Sequence, residues 1–320
     1  MKQFFQQTLK KIIFTFSIVL PLFPLLAQKT ESPTSPVKRF FYMGDGSLLL
    51  QGQKILYRNL SGEYQEAGLK KIHQIFGANW QSKHERLSLR FIEMMDYLQD
   101  ELQGGNYILR SGYRSPNNNQ NLRNKGKLAA QSSMHIEGAA ADLRLKNIPS
   151  AKVFEFVKAL NCCGIGWYGS AHFHLDTGPT RYWGATTSKT EDKTPQQNSK
   201  IILQSDYDYY QAGEKIPLKF MRITQYPIGV PYQVTLVEVK NDSSQEKIRP
   251  LPLTFSSENT SQETCTILKN RSQARNISVQ LPKELPSGNY ALSVKFCNRY
   301  DYLQMPETIS SRIFKVVQSK

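Results

Sequence analysis

The residues with the clearest potential for chemistry are histidines and aspartates in two short patterns. His135 is followed by Asp142, and His172, His174 and Asp176 occupy alternate positions further along the chain. In a β-strand, residues i, i+2 and i+4 project from one face, so the last three side chains are predicted to share a face. Imidazole nitrogen and carboxylate oxygen are both ligands of Zn2+. Either pattern alone favours surface histidines near acids, but the two together favour a metal site.

The chain between His135 and Asp142 must bend if both side chains are to reach one metal ion. A separation of seven residues places them on opposite faces of a straight strand. Gly138 and the alanines at 139–141 permit a close approach of the backbone at this point. Three protein ligands, with one position left for water, are the arrangement of catalytic zinc.

Changes in composition divide the 320 residues into segments. Two blocks are expected to fold, and we call residues 39–184 the first block and residues 201–320 the second block. Polar residues 185–200 are predicted to form a linker between them. Ahead of the first block, the sequence predicts a signal peptide at 1–27 and a disordered lead-in at 28–38.

The first block mixes helix and strand signals, which predicts an α+β domain around the candidate site. The predicted helices lie near 69–76, 87–102 and 151–160, and the predicted strands lie at 106–111 and 171–176. The second helix is expected to end at Gly104 and Gly105, and Ser150 is the predicted N-cap of the third.

The second block shows strand signals only. About seven short runs at regular spacing predict an all-β immunoglobulin-like sandwich. The runs are 216–224, 232–240, 252–257, 265–270, 276–282, 289–298 and 311–319. Cys265 and Cys297 lie on two of these runs and are candidates for a disulfide, with two buried free thiols as the alternative. The adjacent Cys162 and Cys163 of the first block are expected to be packing residues.

The N-terminal segment and the net charge predict the compartment. Residues 1–27 have a basic start, an apolar run broken by two prolines, and Ala27 at a suitable cleavage position, which is typical of a secretory signal peptide. A membrane anchor is the alternative, but the run is shorter than the roughly 20 apolar residues of a membrane span. The net charge is +15, and loss of the three lysines in this segment leaves +12. We therefore expect a periplasmic or secreted protein that meets anionic wall polymers, with no nucleic-acid partner and no transmembrane span after cleavage.

Four motifs of the first block occur in a specific order. They are Ser111-Gly-Tyr-Arg-Ser-Pro116 with Asn119 shortly after, Ser133-x-His135-x-x-Gly138-x-Ala140-x-Asp142, Gly164-Ile-Gly-Trp-Tyr168, and His174-Leu-Asp-Thr-Gly-Pro-Thr-Arg-Tyr-Trp183. In this order and spacing, the chain from about 39 to 184 resembles the YcbK-type (murein endopeptidase K-like) zinc peptidases. That family belongs to the Hedgehog/D-Ala-D-Ala peptidase superfamily. The resemblance implies a Hedgehog/D,D-peptidase-like zinc domain and does not extend to the second block.

Carried over by position, the resemblance implies a zinc ion held by His135, Asp142 and His174. Zinc lowers the pKa of a bound water and polarises a scissile carbonyl. Arg114 matches an arginine that related peptidases place beside the reacting carbonyl, where its charge stabilises an oxyanion. A structural salt bridge is the alternative role for Arg114.

The sequence leaves three candidates for the general base: His172, Glu137 and Asp176. Some superfamily members have a carboxylate three residues before the last ligand, but here that position is Ala171. His172 matches the first histidine of a His-x-His pair in related wall hydrolases and is assigned as a proton shuttle. Glu137 is another candidate base. Asp176 is a third, although we expect it to orient a ligand imidazole instead.

Together with the predicted signal peptide, the resemblance implies an exported zinc metallopeptidase that cleaves peptide crosslinks in peptidoglycan. Two alternatives remain at this level: a zinc-containing module that binds the cell wall without cleaving it, and a carboxypeptidase that removes terminal D-alanine. The second block is a candidate for contact with the wall or with a protein partner, and nothing in its sequence identifies a ligand.

Overall fold

The structure is a computed structural model. It describes residues 38–127, 129–187, 194–240, 244–255 and 264–318. The predicted signal peptide at 1–27 and all of the predicted lead-in except Lys38 lie outside these residues.

The first block contains one mixed sheet and four helices. Its elements in chain order are β1 (Ser47–Leu50), β2 (Gln53–Leu56), α1 (Glu66–Phe76), α2 (Leu89–Glu101), β3 (Tyr107–Ser111), α3 (Pro116–Asn124), β4 (Ala140–Leu145), α4 (Ser150–Leu160), β5 (Gly164–Trp167), β6 (Phe173–Asp176) and β7 (Arg181–Gly184). The sheet order is β2-β1-β3-β4-β6-β5-β7. The block is therefore of mixed α/β composition, as the sequence signals predict.

Helix ends follow local chemistry, with one correction to the sequence prediction. Helix α1 buries Leu69, Ile72 and Phe76 and ends at Gly77, whose left-handed backbone suits a residue without a Cβ atom. The N-cap of α4 is Pro149, and Ser150 is the first helical residue, so the predicted N-cap is wrong by one position. The reason is that Pro149 has an extended backbone, while Ser150 already has a helical one and makes no side-chain cap.

The pairing of β4 with β6 positions the candidate site. These strands are antiparallel, with Asp142 opposite His174 and Ala140 opposite Asp176. The face away from the site is apolar: Leu143, Phe173 and other fully buried side chains form the core with α1, α2 and α4. Apolar burial thus determines which face of each strand carries the polar residues.

The second block contains eleven strands and one short 3-10 helix within its described residues. The strands are β8 (Ile202–Ser205), β9 (Tyr209–Gln211), β10 (Lys215–Met221), β11 (Ile228–Pro231), β12 (Gln233–Val239), β13 (Gln245–Phe255), β14 (Cys265–Leu268), β15 (Ile277–Gln280), β16 (Gly288–Lys295), β17 (Thr308–Ser310) and β18 (Phe314–Val317). One nine-stranded sheet has the order β8-β10-β15-β13-β12-β16-β18-β9 with β17 beside β16, and β11 pairs with β14. Each of the seven predicted runs overlaps a strand. The immunoglobulin-like topology stays a prediction.

Both cysteine pairs are joined. Cys265 and Cys297 form a disulfide with their Cα atoms 5.8 Å apart, which links β14 to the residues after β16. Cys162 and Cys163 are buried in the core of the first block, as expected for packing residues. Their sulfurs are nevertheless bonded to each other, so the expectation of two simple packing thiols is wrong. The two side chains meet where the chain turns at Asn161, the left-handed C-cap of α4.

Part of the predicted linker packs against the second block. Asn198 is fully buried, and its side-chain oxygen accepts hydrogen bonds from the backbone N–H groups of Thr224 and Gln225 at 2.8 and 2.9 Å. The described residues form one compact unit. Among the described residues, no helix is both long and apolar enough to cross a membrane.

Candidate metal centre

The three residues implied as ligands lie together at one edge of the β4–β6 pair. Ligand atoms of His135, Asp142 and His174 all lie within 4.8 Å of one another. Asp142 Oδ1 is 3.0 Å from His174 Nδ1 and 3.5 Å from His135 Nε2. The chain therefore bends between His135 and Asp142, as the sequence predicts for two residues seven positions apart that bind one metal ion.

A tight turn brings His135 to Asp142. The N–H of Gly138 donates to the carbonyl of His135 at 3.3 Å, and β4 begins two residues later. Gly138 has a φ of 66°, and a Cβ atom here would overlap the carbonyl oxygen of Arg86. Only glycine fits this turn without strain, which explains its place in the motif.

Hydrogen bonds orient both imidazoles. His135 Nδ1 lies 2.7 Å from the carbonyl oxygen of Gly112, so this nitrogen carries the proton and Nε2 faces Asp142. His174 Nε2 lies 2.9 Å from Asp176 Oδ2, which leaves Nδ1 to face Asp142. When its second nitrogen is unprotonated, each ring presents a lone pair beside Asp142, the arrangement that carbonyl and carboxylate partners impose on metal-binding histidines.

Asp176 is the buried anchor of His174. Its side chain is fully buried and accepts hydrogen bonds from Arg181 at 2.6 Å and from the N–H of Gly178 at 2.8 Å. Burial favours its neutral form, but the charge of Arg181 and the bond from His174 outweigh burial and lower the pKa of Asp176 well below its ordinary value. The structure thus gives Asp176 the orienting position expected from sequence.

The charge states of the cluster suit a divalent cation. Burial lowers the pKa of His135, which favours the neutral imidazole. Burial alone raises the pKa of Asp142, but hydrogen bonds from His135 and His174 reverse this effect and lower it well below its usual range. For His174, burial is outweighed by the two aspartates, which raise its pKa while no cation competes for its lone pair. Two nitrogens and one carboxylate oxygen are a donor set that fits zinc and leaves a coordination position open.

Arg114 lies beside this cluster and contacts one ligand. Its Nη2 is 3.2 Å from Asp142 Oδ2, and its Nε and Nη2 donate to Ser111 Oγ at 3.0 and 2.8 Å. Ser115 caps α3 directly after it, accepting a bond from the N–H of Asn118 at 3.2 Å. The Ser-Gly-Tyr-Arg-Ser motif therefore positions one guanidinium at the rim of the site.

The other two candidate bases make their contacts outside the cluster of three. His172 precedes β6, is half-buried, and stacks on Tyr168 with ring centroids 5.0 Å apart. Trp183 donates to the hydroxyl of Tyr168 at 2.9 Å and lies 5.1 Å from the ring of His174. Glu137 is directed away from the cluster, because its buried carboxylate bonds to Arg275 of the second block.

Two glycines of β5, Gly164 and Gly166, leave space for the side chains of Asp176 and Trp183. Gly164 pairs with Asp176 and Gly166 with His174 across the β5–β6 ladder. A Cβ atom on Gly164 would overlap the carboxylate of Asp176, and one on Gly166 would come within 2.5 Å of the Trp183 ring. The sequence alone does not predict the role of this Gly-x-Gly motif, because the contacts that require glycine lie across the sheet.

Comparison with known proteins agrees with this geometry. Residues 51–183 match the family model described as peptidoglycan L,D-endopeptidase MepK, of the type Peptidase_M15_2. The resemblance to YcbK-type peptidases inferred from the motifs is thereby confirmed, and it covers the block that holds the cluster.

Individual relatives agree with the family match. A probable peptidoglycan L,D-endopeptidase MepK of Haemophilus influenzae is 40% identical over 73 residues, which are 22% of this chain and 39% of the relative. The peptidoglycan L,D-endopeptidase MepK of Escherichia coli K12 is 36% identical over 76 residues, 23% of this chain and 42% of the relative. The matched segments thus span about two fifths of these relatives. A solved neutral ceramidase from Pseudomonas aeruginosa covers 38% of this chain and 19% of its own at 12% identity, and its TM-score of 0.22 supports no inference.

Proposed function

We propose that this protein is an exported, zinc-dependent peptidase that cleaves peptide crosslinks in peptidoglycan, with the L,D-endopeptidase activity named for its relatives. The observation that carries the proposal is the cluster of His135, Asp142 and His174, in a block that matches this peptidase family. The names of the relatives support endopeptidase activity, and they offer no support for removal of terminal D-alanine.

The cluster would bind the metal ion, and the neighbouring Arg114 would bind the substrate. A bound zinc ion would supply Lewis acidity toward a water molecule and the scissile carbonyl. His135 and His174 would hold it through the nitrogens that Gly112 and Asp176 leave unprotonated. Arg114, at the rim, is placed to bind the oxygen of a substrate carbonyl as negative charge develops on it.

His172 is the side chain we assign to proton transfer. It is half-buried at the edge of the site, and its stacking on Tyr168 fixes its ring plane. Neither Asp176 nor Glu137 is free for this role, because both carboxylates are buried and paired with arginines. The proton of the attacking water would pass through His172 to the leaving amine.

Digestion of purified sacculi tests this proposal. We expect wild-type protein to release fragments whose masses identify cleavage at an L,D bond of the peptide crosslinks. Asp142→Ala removes the carboxylate shared by both histidines, so it should abolish both zinc binding and cleavage. Asp206→Ala, at a surface ion pair with Lys219 in the second block, is the matched control and should leave both unchanged.

Other outcomes of the same digestion would contradict the proposal. Full activity of zinc-free protein would contradict the metal mechanism. Binding of zinc and sacculi without any cleavage would favour the non-catalytic wall-binding module, a reading that Ala171 keeps open because some superfamily members have a carboxylate at this position. Release of single D-alanine residues would favour a carboxypeptidase.

A further inference from the structure

Three arginines of the second block bond to the turn that carries His135. We propose that the second block positions this turn, and that Arg275 and Glu137 are positioning residues for His135. The inference rests on the proposed zinc site. It concerns residues 222, 271 and 275, which lie outside the matched residues 51–183.

The contacts bracket His135 on both sides. Before it, Arg222 donates through Nε to the carbonyl of Ser132 at 3.0 Å and through Nη2 to the Ser132 hydroxyl at 3.2 Å. After it, Arg271 donates to the carbonyl of Ile136. The turn is therefore bonded to the second block directly next to the ligand and three residues ahead of it.

Glu137 is the centre of this interface. Its carboxylate bonds to Arg275, lies 3.3 Å from Arg271 Nη1, and accepts the backbone N–H of Arg222 at 2.7 Å. Because Glu137 and Arg275 are both buried, removal of either leaves the other charge without its main partner.

Other ion pairs between the blocks do not reach this turn. Arg90 of α2 donates to Asp208 Oδ1 at 2.8 Å, and both residues are buried. Arg39 pairs with Glu214 at 2.8 Å. Neither pair bonds to this turn or to the three residues of the cluster, so they provide a matched control that separates docking of the blocks from positioning of His135.

The test compares zinc affinity with stability in Arg275→Met and Arg90→Met, using the full chain. Zinc affinity is measured by competition with a chelator, and the surroundings of the metal are measured by the visible absorption of protein loaded with Co2+.

Loss of an outer partner of a metal ligand weakens metal binding by about 10- to 100-fold. We expect Arg275→Met to weaken zinc binding by about 10-fold and to change the Co2+ spectrum. Arg90→Met should lower the Tm while leaving both unchanged, and Arg275→Lys should recover part of the affinity.

If Arg275→Met does not fold, Arg271→Met serves as a second variant in the same measurements. Its side chain is partly exposed, so its loss disturbs the core less, and we expect a smaller decrease in zinc affinity in the same direction. Unchanged zinc affinity and Co2+ spectrum in the folded arginine variants would overturn the inference while leaving the proposed function intact. A wild-type protein that binds neither metal would overturn both.

Discussion

At the scale of single residues, the site depends on partners that hold each ligand in one protonation state. The carbonyl of Gly112 accepts a hydrogen bond from Nδ1 of His135, and the carboxylate of Asp176 accepts one from Nε2 of His174. Neither partner belongs to the cluster itself, yet each determines which nitrogen of its histidine faces Asp142. Asp176 was found from its alternation with His174, whereas the role of Gly112 required the folded chain.

Asp176→Asn tests this orienting role. The amide removes a negative charge that pairs with Arg181, so we expect the free energy of unfolding to fall by about 2 kcal/mol. Zinc affinity should fall by about 10- to 100-fold, because the ring of His174 loses its charged partner. Chelator competition and urea unfolding measure the two effects. Asp208→Asn, in the buried pair with Arg90, should lower stability without a change in zinc affinity; equal zinc affinities in both variants would count against the assignment.

At the scale of elements, the turn before β4 brings the ligands together. Gly138 sits where both a positive φ and a neighbouring carbonyl exclude a side chain. The β4–β6 register then places Asp142 opposite His174. The apolar residues that alternate with Asp142 and His174 favour this register, since a shift of one residue would turn these two side chains toward the apolar core and the core side chains toward the cluster.

Gly138→Ala and Gly126→Ala separate conformational strain from steric overlap. Both glycines have similar backbones, with φ of 66° and 68°, but a Cβ atom on Gly126 meets nothing within 4 Å. We expect Gly126→Ala to cost about 1 kcal/mol from the left-handed backbone alone. Gly138→Ala should cost clearly more and should also weaken zinc binding, since the turn must shift to relieve the overlap with Arg86. Equal losses of stability in urea unfolding would refute the steric argument.

Helix α2 carries a carboxylate whose ionisation opposes folding. Asp96 is buried and accepts hydrogen bonds from the hydroxyl of Tyr57 at 2.6 Å and the N–H of Gly46 at 2.8 Å. Burial raises its pKa to about 7, and Asp100 and Asp45 nearby act in the same direction. The folded state therefore binds this proton more tightly than the unfolded state does.

The sign of the resulting pH dependence follows from linkage. The stabilising effect of the Asp96 proton is complete below the unfolded pKa of about 4 and is lost as the pH rises to about 7. Stability should thus be higher at pH 5 than at pH 8, and Asp96→Asn should reduce this difference. The low pKa values of Asp142 and Asp176 act only at lower pH, where protonation removes their stabilising effect. Urea unfolding of both proteins at the two pH values measures the difference, and an unchanged pH profile in the variant would refute the assignment.

At the scale of the whole molecule, the second block contributes contacts to the site as well as its own fold. Its arginines bond to the turn of His135, while Arg312 donates to the carbonyl of Thr177, directly after β6, at 3.0 Å. The net charge of +15 over the full chain favours association with anionic wall polymers.

Binding to sacculi should be sensitive to salt if charge drives it. Ionic strength screens attraction between exposed charges, and the Debye length falls from about 10 Å at 0.1 M salt to about 3 Å at 1 M. We expect the amount of protein that sediments with sacculi to fall several-fold over this range. The measurement uses zinc-free protein, so that cleavage of the sacculi does not alter the amount that sediments. Binding that stays constant at high salt would contradict the electrostatic argument.

The sequence by itself determined the parts of this protein that depend on local pattern. The order of the motifs predicted the resemblance to the peptidase family, alternation placed His174 and Asp176 on one face, and residue patterns located three helices and nine strands, two in the first block and seven in the second. Missed elements such as α3 and β5 are short and rich in polar residues or glycine, so their periodic signal is weak.

Only the tertiary structure decided which distant groups meet. It directed Glu137 to arginines more than 80 residues away, joined Cys162 to Cys163, and gave Gly164 and Gly166 a role across the sheet. Such contacts leave no periodic trace in the sequence, because they depend on how strands and turns pack in three dimensions. The sequence therefore predicts which residues could bind a metal ion. The contacts that hold these side chains in position form only when the chain folds.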